Sequence, residues 1–308
     1  MSLVFSSFVF GGYQKYIPYY IYSIWKTHPN SYIKVFTDKA LEVNIYKTLK
    51  FLKENNIKNF EIIEMKTSLE EYEKYKMRGG GVKTLVRYLV GKEYFDAFDY
   101  AYIGDIDILF LPEQMSILDF HTRQLVELHQ PFSNKVRLDK DGGITERLTG
   151  LHFFKTKEYF DKINPIISRI KTDQSYRDHY LKGLERDENF LYKINKEAFD
   201  FDPELLSRAQ RPWHGLHLGI TRGNKDLDIQ TIQENSSLSI EEIINHLREY
   251  IQDPIFMEIQ KKVFVVELEV ILKELSIPYT FSWKYKGYKY RSGVKLRSTK
   301  RKLKKYLK

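Results

Sequence analysis

The sequence predicts an α/β fold: a mainly parallel, Rossmann-like mixed sheet flanked by helices, followed by a helical C-terminal region and a basic tail. Three observations carry this expectation. Short β-branched and aromatic runs alternate with amphipathic helical patterns through the first half of the chain, the mark of βαβ units and parallel strands. Of the 308 residues, 42% are hydrophobic, enough for one large domain or two small ones. Gly11-Gly12, Asp38 and the pair Asp105/Asp107 all fall where strand patterns stop. In an open α/β sheet, ligands bind beyond the carboxyl ends of strands.

Taken in order, "LVFSSFVF" reads as the first strand and ends at Gly11-Gly12. "YQKYIPYYIYSIWKTH" reads as an aromatic helix with Pro18 near its first turn, where a missing N–H costs nothing. "YIKVFTD" is the second strand, "ALEVNIYKTLKFLKENN" an amphipathic helix and "FEIIEM" the third strand. After Gly79-Gly80-Gly81, "VKTLVRYLVGKEYF" has a helical pattern, and "YAYIGDIDILF" that of a further strand. "QLVELHQ" and "RLTGLHFFK" read as strands, "TKEYFDKINPIISRIK" and "DENFLYKINKEAF" as helices, and "WHGLHLG" as a short strand or loop. The stretch from Ser239 to Ser276 is helical, with a break near Pro254. The expected organisation is 1–235 as the main domain, 236–281 as helices packed on it, and 282–308 as the tail.

With 23 Tyr and 20 Phe, the composition is not that of a disordered chain. The absence of cysteine excludes disulfides and thiolate metal sites and fits a reducing compartment. The N-terminus lacks the basic start of a signal peptide, and no apolar run reaches the roughly 18 residues of a membrane span. The net charge of +9 is concentrated at one end. Lys284 to Lys308 hold 12 Lys and Arg and no acid; without them 38 basic residues face 41 acidic ones, a balance of −3. A localised basic device is expected, and a chain that coats nucleic acid is not.

The chain contains four D-x-D triplets: Asp105/Asp107, Asp139/Asp141, Asp200/Asp202 and Asp226/Asp228. Three lie in polar stretches, where turn-making or solvated aspartates are the ordinary case. Only Asp105/Asp107 is flanked on both sides by apolar residues. Buried carboxylates need a partner. On a strand, residues two apart share a face, so both could reach one Mg²⁺ or Mn²⁺ bridging to a phosphate. A strand-end pair held by Arg or Lys is the alternative.

The segment "YIGDIDILFLP", preceded by "TLVRYLVGKEYF" with Arg87, resembles the D-x-D region of GT-A glycosyltransferases. The later segments "LTGLHFFK", "DENFLYKI" and "WHGLHLG" follow in the order of the retaining family that includes glycogenin and the lipooligosaccharide galactosyltransferases. Leu148, Thr149, Glu188 and Asn189 depart from that family's residues, whereas Gly150 is retained. The resemblance covers roughly residues 1 to 220. It implies a metal-dependent hexosyltransferase taking a nucleotide sugar, expected to be a UDP-sugar, with Mn²⁺ (or Mg²⁺) as cofactor. It implies Asp105 and Asp107 as metal ligands, with Asp105 shared with the sugar or ribose, and a histidine third ligand: His217 preferred, His214 the other candidate. Asp187 and Glu188 are the candidate catalytic carboxylates, beneath the sugar or acting on the acceptor hydroxyl, although acids at a helix start are also favoured by its dipole.

Donor contacts are expected from Phe10, Gly11 and Tyr13 after the first strand, since glycine admits close backbone approach and an aromatic can stack on a base. Asp38 is a candidate for a ribose hydroxyl or base N–H, or for capping the following helix. Arg78, Lys83 and Arg87 are candidates for phosphate contacts, with Gly150 alongside. The expected acceptor is a glycan or lipid-linked glycan of surface polysaccharide synthesis. The tail from Trp283 is expected to engage an anionic membrane surface on the cytoplasmic side; nucleic acid is not the expected partner. Two other functions compete. A nucleotidyltransferase would want a glycine-rich basic signature where this chain has "GGYQKY". A non-catalytic nucleic-acid or carbohydrate-binding protein would act through the tail alone and need no metal.

Overall fold

The structure is a computed structural model that describes residues 1–65, 72, 74–75, 81–210, 214–221 and 227–278, with 81–83 described by their backbone only. Strands β1 (Leu3–Val9), β2 (Tyr32–Thr37), β3 (Phe60–Glu64) and β4 (Tyr100–Ile103) pair in parallel, with Val4 opposite Tyr32, Ile33 opposite Phe60 and Leu3 opposite Tyr100. After the two-residue β5 (Ile108–Leu109) come β6 (Phe132–Ser133), a hairpin of β7 (Val136–Leu138) and β8 (Ile144–Leu148), and β9 (His152–Lys155). β9 joins β4 antiparallel, and β6 lies outside it, giving the order β3-β2-β1-β4-β9-β6. The sheet is mixed and mostly parallel, as expected.

β1 is central and buried along its whole length. Its alternation divides the core in two: Leu3, Phe5 and Val9 point into one apolar cluster, Val4 and Phe8 into the other. Helices cover both faces, which is why even Ser6 and Ser7 at the centre of the strand are buried. Helix α1 (Ile17–Thr27) carries Pro18 in its first turn and buries Tyr19, Tyr20 and Tyr22 on the first face. α2 (Val43–Glu54) follows β2 and buries Ile45, Leu49 and Leu52, spaced four and three apart.

The segment expected as a strand at "QLVELHQ" is helical, in α3 (Ile117–Leu128). Ser116 accepts from the Asp119 N–H at 3.1 Å, a cap that contributes roughly 1 kcal/mol. The buried positions Ile117, His121, Leu125 and Leu128 have helical spacing. The helix expected over 82–95 is two 3₁₀ segments, Gly81–Tyr88 and Lys92–Tyr94, separated at Gly91. The single strand expected at Tyr100–Phe110 is interrupted between β4 and β5.

On the second face lie α4 (Thr156–Thr172), α5 (Gln174–Leu181), α6 (Asp187–Phe199) and α7 (Pro203–Arg208). Strand β10 (Leu216–His217) pairs antiparallel with β5. Beyond α8 (Ile229–Glu234), the C-terminal helices are α9 (Ile240–Gln252), α10 (Pro254–Lys262) and α11 (Val266–Glu274). The break at Pro254 falls where Asp253 caps α10. These helices share the first core cluster with α1: Tyr250 Oη donates to the Phe110 carbonyl at 2.7 Å, within that cluster. Among the described residues no helix is long and apolar enough to cross a membrane. The tail expected to act at a membrane lies outside the described residues.

Candidate active site

β4 stops at Ile103, and the chain turns through Gly104 to Asp107 before β5 begins. Asp105 and Asp107 therefore converge through a turn beyond the strand's carboxyl end, and not through the shared face of a continuous strand. β10 supplies the third side chain. His217 sits opposite Ile108, and the Leu218 N–H donates to the Asp107 carbonyl at 2.9 Å. This brings His217 Nε2 to 3.2 Å from Asp107 Oδ1. One ligand atom from each of Asp105, Asp107 and His217 lies within 4.8 Å of the others.

The approach of β10 depends on Gly215. Its φ is +94°, and a Cβ there would stand 2.3 Å from the Leu109 carbonyl oxygen and 2.7 Å from the Leu111 nitrogen. Neither is a movable side chain, so only glycine fits.

Arg87 closes the other side of the cluster. Its Nη1 donates to Asp105 Oδ1 at 2.5 Å and its Nη2 to Asp187 Oδ2 at 2.8 Å. Asp187 is the first residue of α6, so the guanidinium ties that helix start to the Asp105–Asp107 turn. Burial works against the charge on Arg87, but Tyr88, Asp187 and Asp105 outweigh it and hold the group well above its ordinary pKa. Gly150 leaves room for this bridge: a Cβ there would lie 3.0 Å from Arg87 Nη2. The alternative of an arginine-held pair is thus realised for Asp105, while Asp107, 3% exposed, faces His217.

A cleft of about 360 Å³ opens over these groups, within the range of small-molecule sites. Phe8, Phe10 and Tyr13 line it together with Asp105, Asp107, Asp187, Arg87 and His217. Phe8 and Phe10, two apart and so on one face, stack at 4.6 Å between ring centroids. Gly11 N–H donates to Asp38 Oδ1 at 3.4 Å. α2 begins at Val43 after Glu42, so Asp38 does not cap it; it braces the turn that carries Tyr13.

The sequence candidates do not all meet. Glu188 does not line the cleft; Arg147 and Arg137 of the β7–β8 hairpin bind its two carboxylate oxygens, Arg137 at 2.6 Å. His214 is not in the Asp105–Asp107–His217 cluster: it is 4% exposed and its Nε2 lies 3.0 Å from Nε2 of His121. Arg78 and the Lys83 side chain lie outside the described residues. Three lining residues were not expected, and one of them, Ile106, simply lies between the two aspartates. Thr84 precedes Arg87 by three on a 3₁₀ segment, where residues three apart stack on one face. Phe8 precedes Phe10 by two on the edge of a strand. Both spacings were present in the sequence.

The donor set suits a hard or borderline divalent ion: two carboxylates and one imidazole, with no sulfur. Among the described cleft residues, the carboxylates of Asp105, Asp107 and Asp187 stand beside the guanidinium of Arg87.

No family model matches the chain, and no curated protein matches it. Solved structures do. The chain is similar to the galactosyltransferase LgtC solved with donor and acceptor sugar analogues, at 15% identity over 64% of this chain and 70% of that one, with a TM-score of 0.44. It is also similar to the mannosyltransferase PcManGT of Pyrobaculum calidifontis in complex with GDP-Man and Mn²⁺, at 12% identity over 96% and 79% of the two chains, TM-score 0.42. For TarS 1–349 of S. aureus the figures are 13%, 95% and 92%, with a TM-score of 0.35.

Proposed function

We propose that the chain is a metal-dependent glycosyltransferase of the GT-A type, moving a sugar from a nucleotide-diphosphate donor to a glycan or lipid-linked acceptor. One observation carries the reading: Asp105, Asp107 and His217 meet at the carboxyl end of the sheet, in a cleft with an aromatic end. The D-x-D resemblance of "YIGDIDILFLP" supports it independently.

In this reading Asp105, Asp107 and His217 would hold Mn²⁺ or Mg²⁺, which when bound offsets the negative charge that grows on the departing nucleoside diphosphate. Phe10 and Tyr13 offer ring faces to the base. Arg87 keeps Asp105 and Asp187 in register and adds positive charge beside the diphosphate. Asp187 lies within the cleft and is the carboxylate for the sugar side, stabilising positive character at the reacting carbon or accepting the acceptor hydroxyl's proton. Glu188, with both oxygens on arginines, braces the hairpin wall. Asp38 acts through Gly11.

The donor is a UDP-sugar and the acceptor belongs to surface polysaccharide or lipopolysaccharide synthesis. Residues 1–235 form the transferase unit, 236–281 its helical cover and 282–308 a basic anchor to the cytoplasmic face of the membrane. Basic residues contribute about 1 kcal/mol each near anionic lipid, and the tail carries 12.

The test is release of nucleoside diphosphate from a panel of UDP- and GDP-sugars with and without Mn²⁺, beside a thermal shift with UDP plus Mn²⁺. Metal-dependent release and a raised melting temperature are expected. A chain that hydrolyses none of the panel and shows no shift is not a glycosyltransferase of this kind. Deleting residues 282–308 is expected to abolish sedimentation with anionic vesicles and to spare donor hydrolysis. Retained sedimentation removes the anchor from the reading.

A further inference from the structure

A second cavity, of about 380 Å³, shares no lining residue with the cleft. Its wall includes Glu113, Asp119 and His214 and, among the described residues, no lysine or arginine. His214 stands at the end of a buried chain of hydrogen bonds whose direction can be read residue by residue. Gln124 donates through Nε2 to the Gln210 carbonyl at 3.0 Å, which leaves its Oε1 as acceptor. Ser133 donates its only proton to that Oε1. Ser133 Oγ must then accept from His121 Nδ1, 2.8 Å away. With its proton on Nδ1, a neutral His121 has a lone pair on Nε2. The His121 Nε2 therefore accepts from His214 Nε2, at 3.0 Å.

This fixes the far nitrogen. His214 carries its proton on Nε2, so its Nδ1 presents a lone pair. That atom is buried and has no hydrogen-bond partner among the described residues. The group nearest it by charge is the Glu113 carboxylate, with Oε2 at 3.6 Å, too far for a hydrogen bond and itself an acceptor. Glu113 is held in place by its other oxygen, which accepts from the Gly215 N–H at 2.9 Å. With His214 neutral, a lone pair and a carboxylate face each other across 3.6 Å, an arrangement that a cation between them relieves.

We propose that His214 Nδ1 and Glu113 hold a divalent transition-metal ion of the zinc and cobalt class, separate from the Asp105–Asp107–His217 cluster. Imidazole and carboxylate together favour such an ion over Ca²⁺ or Mg²⁺. The outer shell fits as well. A metal-bound histidine donates its second N–H to a fixed acceptor, and here His121, Ser133, Gln124 and Gln210 form that acceptor chain. The remaining positions on the ion open to the cavity and take water. The inference does not rest on the sugar-transfer reading.

The probe is Co²⁺ alone, counted by equilibrium dialysis against the full chain. The wild type is expected to bind two ions. Glu113→Gln keeps an acceptor for Gly215 and is expected to bind one fewer; His214→Gln is expected to do the same. Asp107→Asn is expected to lose the other ion, and its combination with Glu113→Gln to lose both. Glu113 is only partly buried, so its variant decides the matter if His214→Gln does not fold. A wild-type stoichiometry of one that Asp107→Asn abolishes overturns the proposal, as does a Glu113→Gln chain that keeps every ion. An Asp107→Asn chain that keeps every ion would instead count against the first site.

Discussion

Asp107 and His217 face each other at 3.2 Å, and Asp107 is almost fully buried. Asp107→Ala is expected to reduce metal-dependent donor hydrolysis at least 1,000-fold while the melting temperature stays near that of the wild type, because the side chain sits in a turn and fills no core. Asp200→Asn, in a D-x-D triplet capping the end of α6, is expected to match the wild type. Comparable losses in both variants would point to general destabilisation and remove the metal role. His217→Ala is expected to raise the metal concentration giving half-maximal rate at least tenfold; an unchanged value would take the imidazole out of the coordination shell. The first aspartate pair was legible in the sequence because apolar residues flank it on both sides. His217 could be preferred over His214, but that choice rested on resemblance alone. What separates them is a strand pairing and a chain of buried hydrogen bonds, neither of which leaves a trace in local composition.

At the scale of elements, the ribbon of β5 and β10 brings His217 to Asp107, and Gly215 is its tightest point. Gly215→Ala would press a methyl onto backbone at Leu109 and Leu111 in a left-handed conformation. Overpacking and strain of this kind cost about 3 kcal/mol together. A lowered denaturation midpoint with loss of one bound metal ion is expected, and a stable variant with normal metal binding would show that the ribbon yields. The parallel strands could be read from the sequence because each is a short run rich in β-branched and aromatic residues, set between helical patterns. The α3 region could not. In "QLVELHQ" the short window alternates like a strand, and its helical period appears only when Ser116, Ile117 and His121 are included. The 3₁₀ segment that carries Arg87 likewise mimics an α-helix over a single turn.

Across the whole molecule, buried histidines make stability depend on pH. Burial pushes His152 down to about 3, and burial together with His214 pushes His28 down to about 4. Unfolded imidazoles titrate near about 6.5, so below that the unfolded chain binds protons that the folded chain refuses. This contribution is complete above about pH 6.5 and is lost as the pH falls toward the folded values. The melting temperature is expected to drop between pH 7 and pH 5. His28→Gln is expected to reduce that loss by about 2 kcal/mol, converted from denaturation at the two pH values; an unaltered pH slope would show that His28 titrates normally in the folded chain. The overall architecture was accessible from periodicity alone, whereas this sensitivity was not, because it depends on which histidines the fold covers. One contact also joins the two ends of the chain. Lys15 Nζ lies 2.9 and 2.8 Å from the two carboxylate oxygens of Glu267, linking the turn that presents Tyr13 to the last helix before the tail. The turn that presents Tyr13 is therefore braced by the C-terminal helices as well as by the strand that precedes it.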